Sequence, residues 1–579
     1  MSDPGSDPAL ALVREGWDHL RRQRPVAAWA SWRRALQLVP EHKAATHALH
    51  VLANAVDLPE AARSEWKFSA PEGESRRARW DSAFRDRDMA DLAIAAGVFG
   101  DLADLDATDG PARFNQGLCL AWLGRNSAAI DALSEAVAAL AAGSFEAAVR
   151  AGMLAEVLRQ GGGAEAQADD LNHVAVLTWT PGEPDPAAFL DGRADVRPIP
   201  DPVDPATGQP RLSEARLVEW LDRPPTAGPP PGVATLADVR RLRATVVRSP
   251  RSLRLSGTDP VLLEGAVAET LRRAGDRVES IRGEAYSLPL AFLDAAVWAV
   301  RMPPGLDPDD EDRLNRAVVE RHYEGAWIAK VRRGLLGSAP VAASRAASAG
   351  DLATRARLEA VVRFREQLGE RPTTARLYQG YPFDRLRRRL GLAPRDPDAI
   401  DPADPASMSG EDLDRLDPAG LDDFALADAY ESAAALGDDR RTARFARALA
   451  GRDPSAMARL DVPALFATLV RHALLVDDPD EALGHLDRAL AVTSARDDRR
   501  TFETWRAEVN ARVGRPDAAE VVYRNLLDEW PDPALALDAA ETLLDNGFDP
   551  QARDLARLAL ELAEAAGDGE VARKAEMLL

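Results

Sequence analysis

Along the first 160 positions, apolar residues recur every three or four places, in runs broken by Gly, Pro or Asp. That period predicts short amphipathic helices. Residues 12–40 read as one helical couple, with Gly16 inside the first helix, Ala28 early in the second, and Trp32, Ala35 and Pro40 after it. Ala28, Ala62, Ala96 and Ala129 then return at an interval of roughly 34 residues, the length of one helix–turn–helix unit. The second unit keeps Ala62 and Trp66, but its end, 71–74, is irregular; the third keeps Trp80, Ala96 and Ala103. The fourth carries Phe114, Asn115, Gly117, Ala129, Ile130, Leu133 and Ala136, with Gly124 and Arg125 at its turn. A further helix over 145–158 is expected to cap the stack, and Gly161-Gly162-Gly163 to end it.

The helical rhythm stops after about residue 168 and resumes near 421. Residues 173–179 read as a strand, followed by two Pro-rich stretches with a short helix expected over 214–221 between them. Strands are expected at 251–255 and 278–282, around an amphipathic helix over 260–274. Helices follow at 288–300 and 311–332, and a turn at 334–340. The pattern divides the chain into an N-terminal array (1–165), a strand with a Pro-rich linker (166–236), a central α+β and helical module (237–395), an acidic linker (396–412) and a C-terminal array (413–579). In the last of these, Ala482, Ala519 and Ala552 carry the same rhythm, and 570–579 would be a capping helix.

Small residues at Gly16, Ala28 and Ala35, an aromatic at Trp32 and a closing Pro40 resemble the tetratricopeptide repeat. The resemblance implies a mainly α fold, in which two superhelical arrays flank a small central α+β and helical region. It also implies that Gly16 and Ala28 face each other where two helices cross, that Trp32 fills the gap to the next unit, and that Pro40 stops the second helix. In the family, first helices line an inner face that holds protein or peptide ligands. Carried over by position, that face has Trp17, Leu20, Arg21, Phe114, Leu118 and Trp122 in the first array. In the second it has Arg471, Thr504, Glu508 and Arg512. The first set is mostly apolar and the second polar, so the two arrays should take different ligands. The overall arrangement is similar to that of large repeat proteins from bacteria with Ala/Arg-rich proteomes.

Composition sharpens this picture in two places. The chain has 579 residues, 46% of them hydrophobic, and a formal net charge of −22, which argues against a nucleic-acid coat. Yet residues 238–389 hold 28 Lys+Arg against 20 Asp+Glu. Within that basic stretch, Arg385, Arg387, Arg388 and Arg389 follow three aromatics, Tyr378, Tyr381 and Phe383. Two readings are open there. A short helix at 373–378 and another at 383–390 could form a helix-turn-helix that meets nucleic acid. Alternatively Leu377, Tyr378, Phe383, Leu386 and Leu390 line a core and the arginines face solvent, which the acidic remainder of the chain favours.

Reactive chemistry is sparse. The single cysteine, Cys119, sits in an apolar helical run and reads as core. His42, His47 and His50 are close in sequence but lack a fixed carboxylate, and 307–312 has the wrong spacing for a calcium loop. With eight histidines and no nucleophile motif, no catalytic, metal or cofactor site is expected, and the protein is not read as an enzyme. Residues 1–8 are polar and no apolar run of about 18 residues occurs, so a cytoplasmic protein without a membrane span is expected. The function that follows is an interaction scaffold or adaptor holding partner proteins or peptides on concave faces; the alternative is a nucleic-acid-associated regulator using the basic centre.

Overall fold

The computed structural model describes residues 7–579 except 72, 85–90, 162–168, 180–186, 200–215, 226–227, 231, 288–298, 373–377, 379, 394–400, 458 and 494. The expected helices at 288–300 and 373–378 fall largely outside the described residues, as do Gly162, Gly163 and most of the Pro-rich stretch. The chain forms two compact units, Met1–Arg395 and Asp396–Leu579. No described helix is long and apolar enough to cross a membrane.

The first unit begins with the expected helical couples: α1 (Pro8–Arg21) with α2 (Pro25–Leu38), α3 (Lys43–Ala53) with a one-turn α4 (Glu60–Arg63), and α5 (Glu74–Phe84) with α6 (Leu92–Leu105). Then come α7 (Gly110–Trp122), α8 (Asn126–Leu140) and α9 (Phe145–Arg159). Their starts are written locally. Asp7, Asp91 and Asp109 each accept a first-turn amide at about 3.0 Å. Pro8, Pro25 and Pro111 occupy first-turn positions, where no amide is needed. The recurring alanines Ala28, Ala62, Ala96 and Ala129 are all buried.

The crossing in the first couple is tighter than expected and differently matched. A Cβ on Gly16 would lie 2.2 Å from Trp32 Nε1, so Gly16 makes room for an indole and does not face Ala28. Trp32 packs inside its own couple and donates to the Val13 carbonyl at 3.1 Å. The fourth couple repeats the device: a Cβ on Gly117 would lie 2.8 Å from Leu133 Cγ and 3.3 Å from the Ala129 carbonyl.

A sheet domain follows: β1 (Leu171–Thr178), β2 (Val196–Pro198), β3 (Arg216–Leu221), β4 (Arg240–Ser249), β5 (Ser252–Gly257), α10 (Pro260–Ala274), β6 (Ser280–Ser287) and β7 (Val300–Arg301). The antiparallel order is β2-β3-β4-β5-β1-β6, with β7 on β4. Leu263 and Ala266 of α10 pack on Leu177, Trp220, Val246 and Leu255. The helix expected over 214–221 is strand β3 in its described part. Trp220 and Leu221 are buried at the β4 edge, and the ladder pairs Val218 with Val246. The 166–236 stretch therefore contributes three strands to a sheet and is more than a linker.

Next come α11 (Pro308–Arg321) and a π-helical turn (His322–Trp327). After them lie α12 (Pro340–Ser348), α13 (Leu352–Gly369) and α14 (Phe383–Arg389). Helix α9 is not the cap of the array. A Cβ on Gly152 would lie 2.6 Å from Ala360 Cβ, so α13 lies against α9 as the second helix of a couple. Ala356, Ala360, Phe364 and Leu368 of α13 join the array's core with Phe114, Leu118 and Leu133. The sheet domain is thus inserted within the fifth couple.

The second unit holds α15 (Gly410–Arg415), then the couples α16 (Asp423–Ala435)/α17 (Asp439–Ala450) and α18 (Val462–Leu475)/α19 (Pro479–Val492). The couples α20 (Arg496–Arg512)/α21 (Pro516–Glu529) and α22 (Pro533–Asp545)/α23 (Asp549–Ala566) follow, closed by α24 (Gly569–Leu578). Ala482, Ala519 and Ala552 are buried at their crossings. The expected linker over 396–412 is ordered where described. Met408 is buried, the Ser432 hydroxyl donates to the Pro405 carbonyl at 2.9 Å, and Ser409 forms a capping box with Asp412.

Two glycine substitutions test the crossings. Gly16→Ala is expected to cost about 1–3 kcal/mol, because the indole of Trp32 has nowhere to move. Gly97→Ala in α6, where a Cβ meets nothing within 4 Å, is expected to be neutral or to stabilise by up to about 1 kcal/mol. Urea denaturation of both variants measures the contrast; equal effects would refute the tight crossing.

Candidate functional site

The expected inner face of the first array is filled. Phe114 and Leu118 are buried in the core, and Trp17 is edge-on to Trp32 at 5.0 Å. Leu20 packs beside the same cluster, and Arg21 reaches solvent, paired with Asp18 at 2.7 Å. Trp122 is stacked on Trp29 at 6.2 Å and meets Phe68 edge-on at 5.1 Å. The apolar residues carried over as partner-binding therefore pack against the chain itself. Trp29 and Phe68, which contribute to that filling, stand outside the first-helix pattern that guided the expectation.

The arginines of the basic stretch are also committed. Arg385 forms a two-point bond to Glu324 at 2.9 and 3.0 Å, and the Tyr381 hydroxyl donates to the same carboxylate at 3.0 Å. Arg387 grips Glu366 at 2.6 and 3.0 Å, and Arg389 is buried. Arg388 alone of the four is exposed. Tyr378, Tyr381 and Phe383 cluster on Tyr323 within 6.0 Å. The arginines that one of the two readings offers to nucleic acid, and the other to solvent, include two, Arg385 and Arg387, that lock α14 to the π turn and to α13, because carboxylates distant in sequence fold onto them.

A buried charge cluster lies where the sheet domain leaves and re-enters the array. Asp170, just before β1, accepts Arg332 Nη1 on both carboxylate oxygens at 3.1 Å and Arg365 on one of them at 2.7 Å, with Lys330 at 3.5 Å. Burial opposes the Asp170 charge, but Arg365 and Arg332 outweigh it and hold the carboxyl well below the usual carboxylate range. His322 on the π turn faces the same group. Burial pushes its imidazole down to about 4, against the pull of Asp170. Among the described residues no group of three or more acidic, His or Cys side chains is placed to hold a metal. His42 instead caps α3, accepting the Ala45 amide at 3.3 Å.

An open groove lies in the second unit. It crosses the first helices of three successive couples, α18, α20 and α22, and encloses about 580 Å³. Its floor is Ala467, Val470, Leu474, Trp505 and Val509, and its rim carries Arg471, Glu508 and Arg512, with Thr542 and Asn546 at the far end. Three of the four expected residues thus meet here. Thr504 does not; its hydroxyl turns back to the Arg500 carbonyl at 2.9 Å. Trp505 is held edge-on by buried Phe502 at 5.7 Å. Burial raises the Glu508 carboxyl, and the charge of Asp538 adds to it. The apolar floor escaped the sequence reading, although Val470, Leu474, Trp505 and Val509 follow helical spacing along their two helices.

No protein-family model matches the chain, and no curated protein matches its sequence. Among solved structures, yeast Tom70 aligns at 12% identity and a TM-score of 0.20, over 96% of this chain and 76% of that one. The APC/C hetero-tetramer Cut9-Hcn1 aligns at 11% and 0.20, over 99% and 97%. The P58(IPK) TPR domain aligns at 12% and 0.17, over 87% and 98%. Alignments at such TM-scores pair runs of helix without a common arrangement. The tetratricopeptide-like build of the two arrays is seen in the chain's own couples and small-residue crossings.

Asp170 and His322 both lose stability as pH falls, but in different pH windows. Asp170→Asn should cost about 3–5 kcal/mol at neutral pH, since it strands Arg332 and Arg365 in the interior. A carboxyl depressed in the folded state stabilises above the unfolded value, so the gap to the unmodified chain should narrow only below about pH 4. His322 stays neutral when folded but takes a proton when unfolded, so stability should fall as pH drops from about 6.5 toward 4. His322→Gln should flatten that part of the profile in urea titrations across pH; an unchanged slope would contradict the assignment.

Proposed function

We propose that the protein is an interaction scaffold and that the groove across α18, α20 and α22 is its docking site for a partner protein's segment. The observation that carries this reading is an apolar floor built by α18 and α20 and left open, bordered by donors and an acceptor, with α22 at its far end. Its size is in the range of ligand sites, roughly 300–1,000 Å³. Val470, Leu474, Trp505 and Val509 would take apolar side chains, with Trp505 as the anchor because an aromatic ring supplies large contact area. Arg471 and Arg512 would donate to carbonyl or carboxylate oxygens of the segment, and Glu508 would accept an amide. A rigid array suits such a task, since each couple adds surface without enlarging one core.

The test is a displayed peptide library selected on the full-length protein, with affinities of the winners measured by titration calorimetry. The expected peptides are short and rich in apolar side chains. Trp505→Ala should weaken them at least tenfold and Arg512→Glu should weaken them further. Winners indifferent to both substitutions would place binding elsewhere and reject the groove.

A further inference from the structure

Between α4 and α5 the chain leaves helix and runs with Trp66 buried, Ser69 half-buried, and Glu65, Lys67 and Ala70 exposed. Residues 64–71 run extended past α7, and one side chain reads their backbone from both sides. Asn115 Oδ1 accepts the Ser69 amide at 2.7 Å, and Asn115 Nδ2 donates to the Ser69 carbonyl at 2.9 Å. Asn115 is 0% exposed, so its carboxamide is turned wholly to this task. Two turns further along α7, on the same helix side as the expected ligand face, the ring of Trp122 receives Phe68 edge-on, and Phe99 closes on Phe68 at 5.3 Å. Trp66 is buried beneath Arg150. Glu65 and Lys67 flank Trp66 and face solvent, so side chains alternate outward and inward around it as in a strand. Paired backbone hydrogen bonds with alternate side chains in apolar pockets are how receptors hold an extended peptide.

The segment is tied more firmly at its root than along its length. The Ala61 amide on α4 donates to Gln367 Oε1 at 2.9 Å, and the Trp66 indole donates back to the Ala61 carbonyl. Beyond Ser64, Ser69 is the one residue of 64–71 whose backbone is hydrogen-bonded among the described residues. Phe68 is still 37% exposed in its pocket.

We infer that the inner groove of the first array is a peptide site occupied in cis by residues 64–71, and that its partner is an extended segment of the same chemistry, with aromatic side chains at alternate positions followed by a small residue. The cis segment acts as a tethered competitor at an effective concentration on the order of millimolar. A partner displaces it by offering the same two rings and a backbone for Asn115. The C-terminal groove plays no part, so the two sites succeed or fail separately.

A fluorescent synthetic peptide of residues 64–71, titrated against full-length variants, tests this. Phe68→Ala loosens the cis segment and should bind the peptide at least tenfold more tightly than the unmodified chain. Adding Asn115→Ala should abolish that binding, and Trp505→Ala should leave it unchanged. A Phe68→Ala protein that melts like the unmodified chain but shows no saturable binding overturns the inference, as does binding that survives Asn115→Ala. If Phe68→Ala fails to fold, hydrogen exchange on the unmodified protein decides. The Ser69 amide should then exchange at least tenfold faster than the amides of α7, and equal protection would mark the segment as fixed core.

Discussion

Both arrays depend on helices approaching so closely that small residues are needed where they cross. Gly16 under the indole of Trp32, Gly117 under Leu133 and Gly152 under Ala360 are three instances in one unit. Each missing side chain is matched by one from the opposite helix: an indole, a leucine or the Cβ of an alanine. The alanines at each crossing serve the same end in both units. A couple packed this way presents a continuous apolar flank to the next, and a row of couples becomes one core. The grooves follow from this, because couples held at fixed spacing set the first helices side by side.

The same rule explains how a sheet can sit inside the first array without ending it. Helix α9 needs a second helix, and any helix with a small residue at the right place will serve. Ala360 supplies it after the whole sheet domain has intervened. The junction is then fixed by charge. Asp170 at the exit, Arg332 at the return and Arg365 on α13 share one buried site, and removing any member strands the others. Arg385 and Arg387 do similar work further along, fastening α14 through Glu324 and Glu366. A basic stretch that looked available for an outside ligand is in fact an internal framework.

What could be read from the sequence was what neighbouring residues decide. The alanine interval, the Asp and Pro at helix starts, and α10 from Pro260 to Ala274 needed nothing from afar. Strand β4 was harder: Arg240, Arg241, Arg243 and Arg248 masked the alternation of Leu242, Ala244 and Val246. Strand β3 looked helical because its short apolar run carries no period that separates the two, and only pairing with β4 settles it. Arg471, Glu508 and Arg512 are found by position in a repeating unit, whereas the apolar spacing of the floor beneath them is the same as that of a buried helix face. Asn115 was seen as part of a repeat pattern. Its grip on Ser69 could not be, since that contact joins a helix to a stretch with no regular structure.

The insertion within the fifth couple also sets an order of events during synthesis. When α9 leaves the ribosome, the helix that covers its flank is still about two hundred residues away, which at ordinary elongation rates is roughly ten to forty seconds. Throughout that interval Ala148, Val149, Ala151 and Leu154 lack their final cover, while the intervening sheet is itself being made. The nascent protein therefore carries a half-built apolar edge until α13 is made.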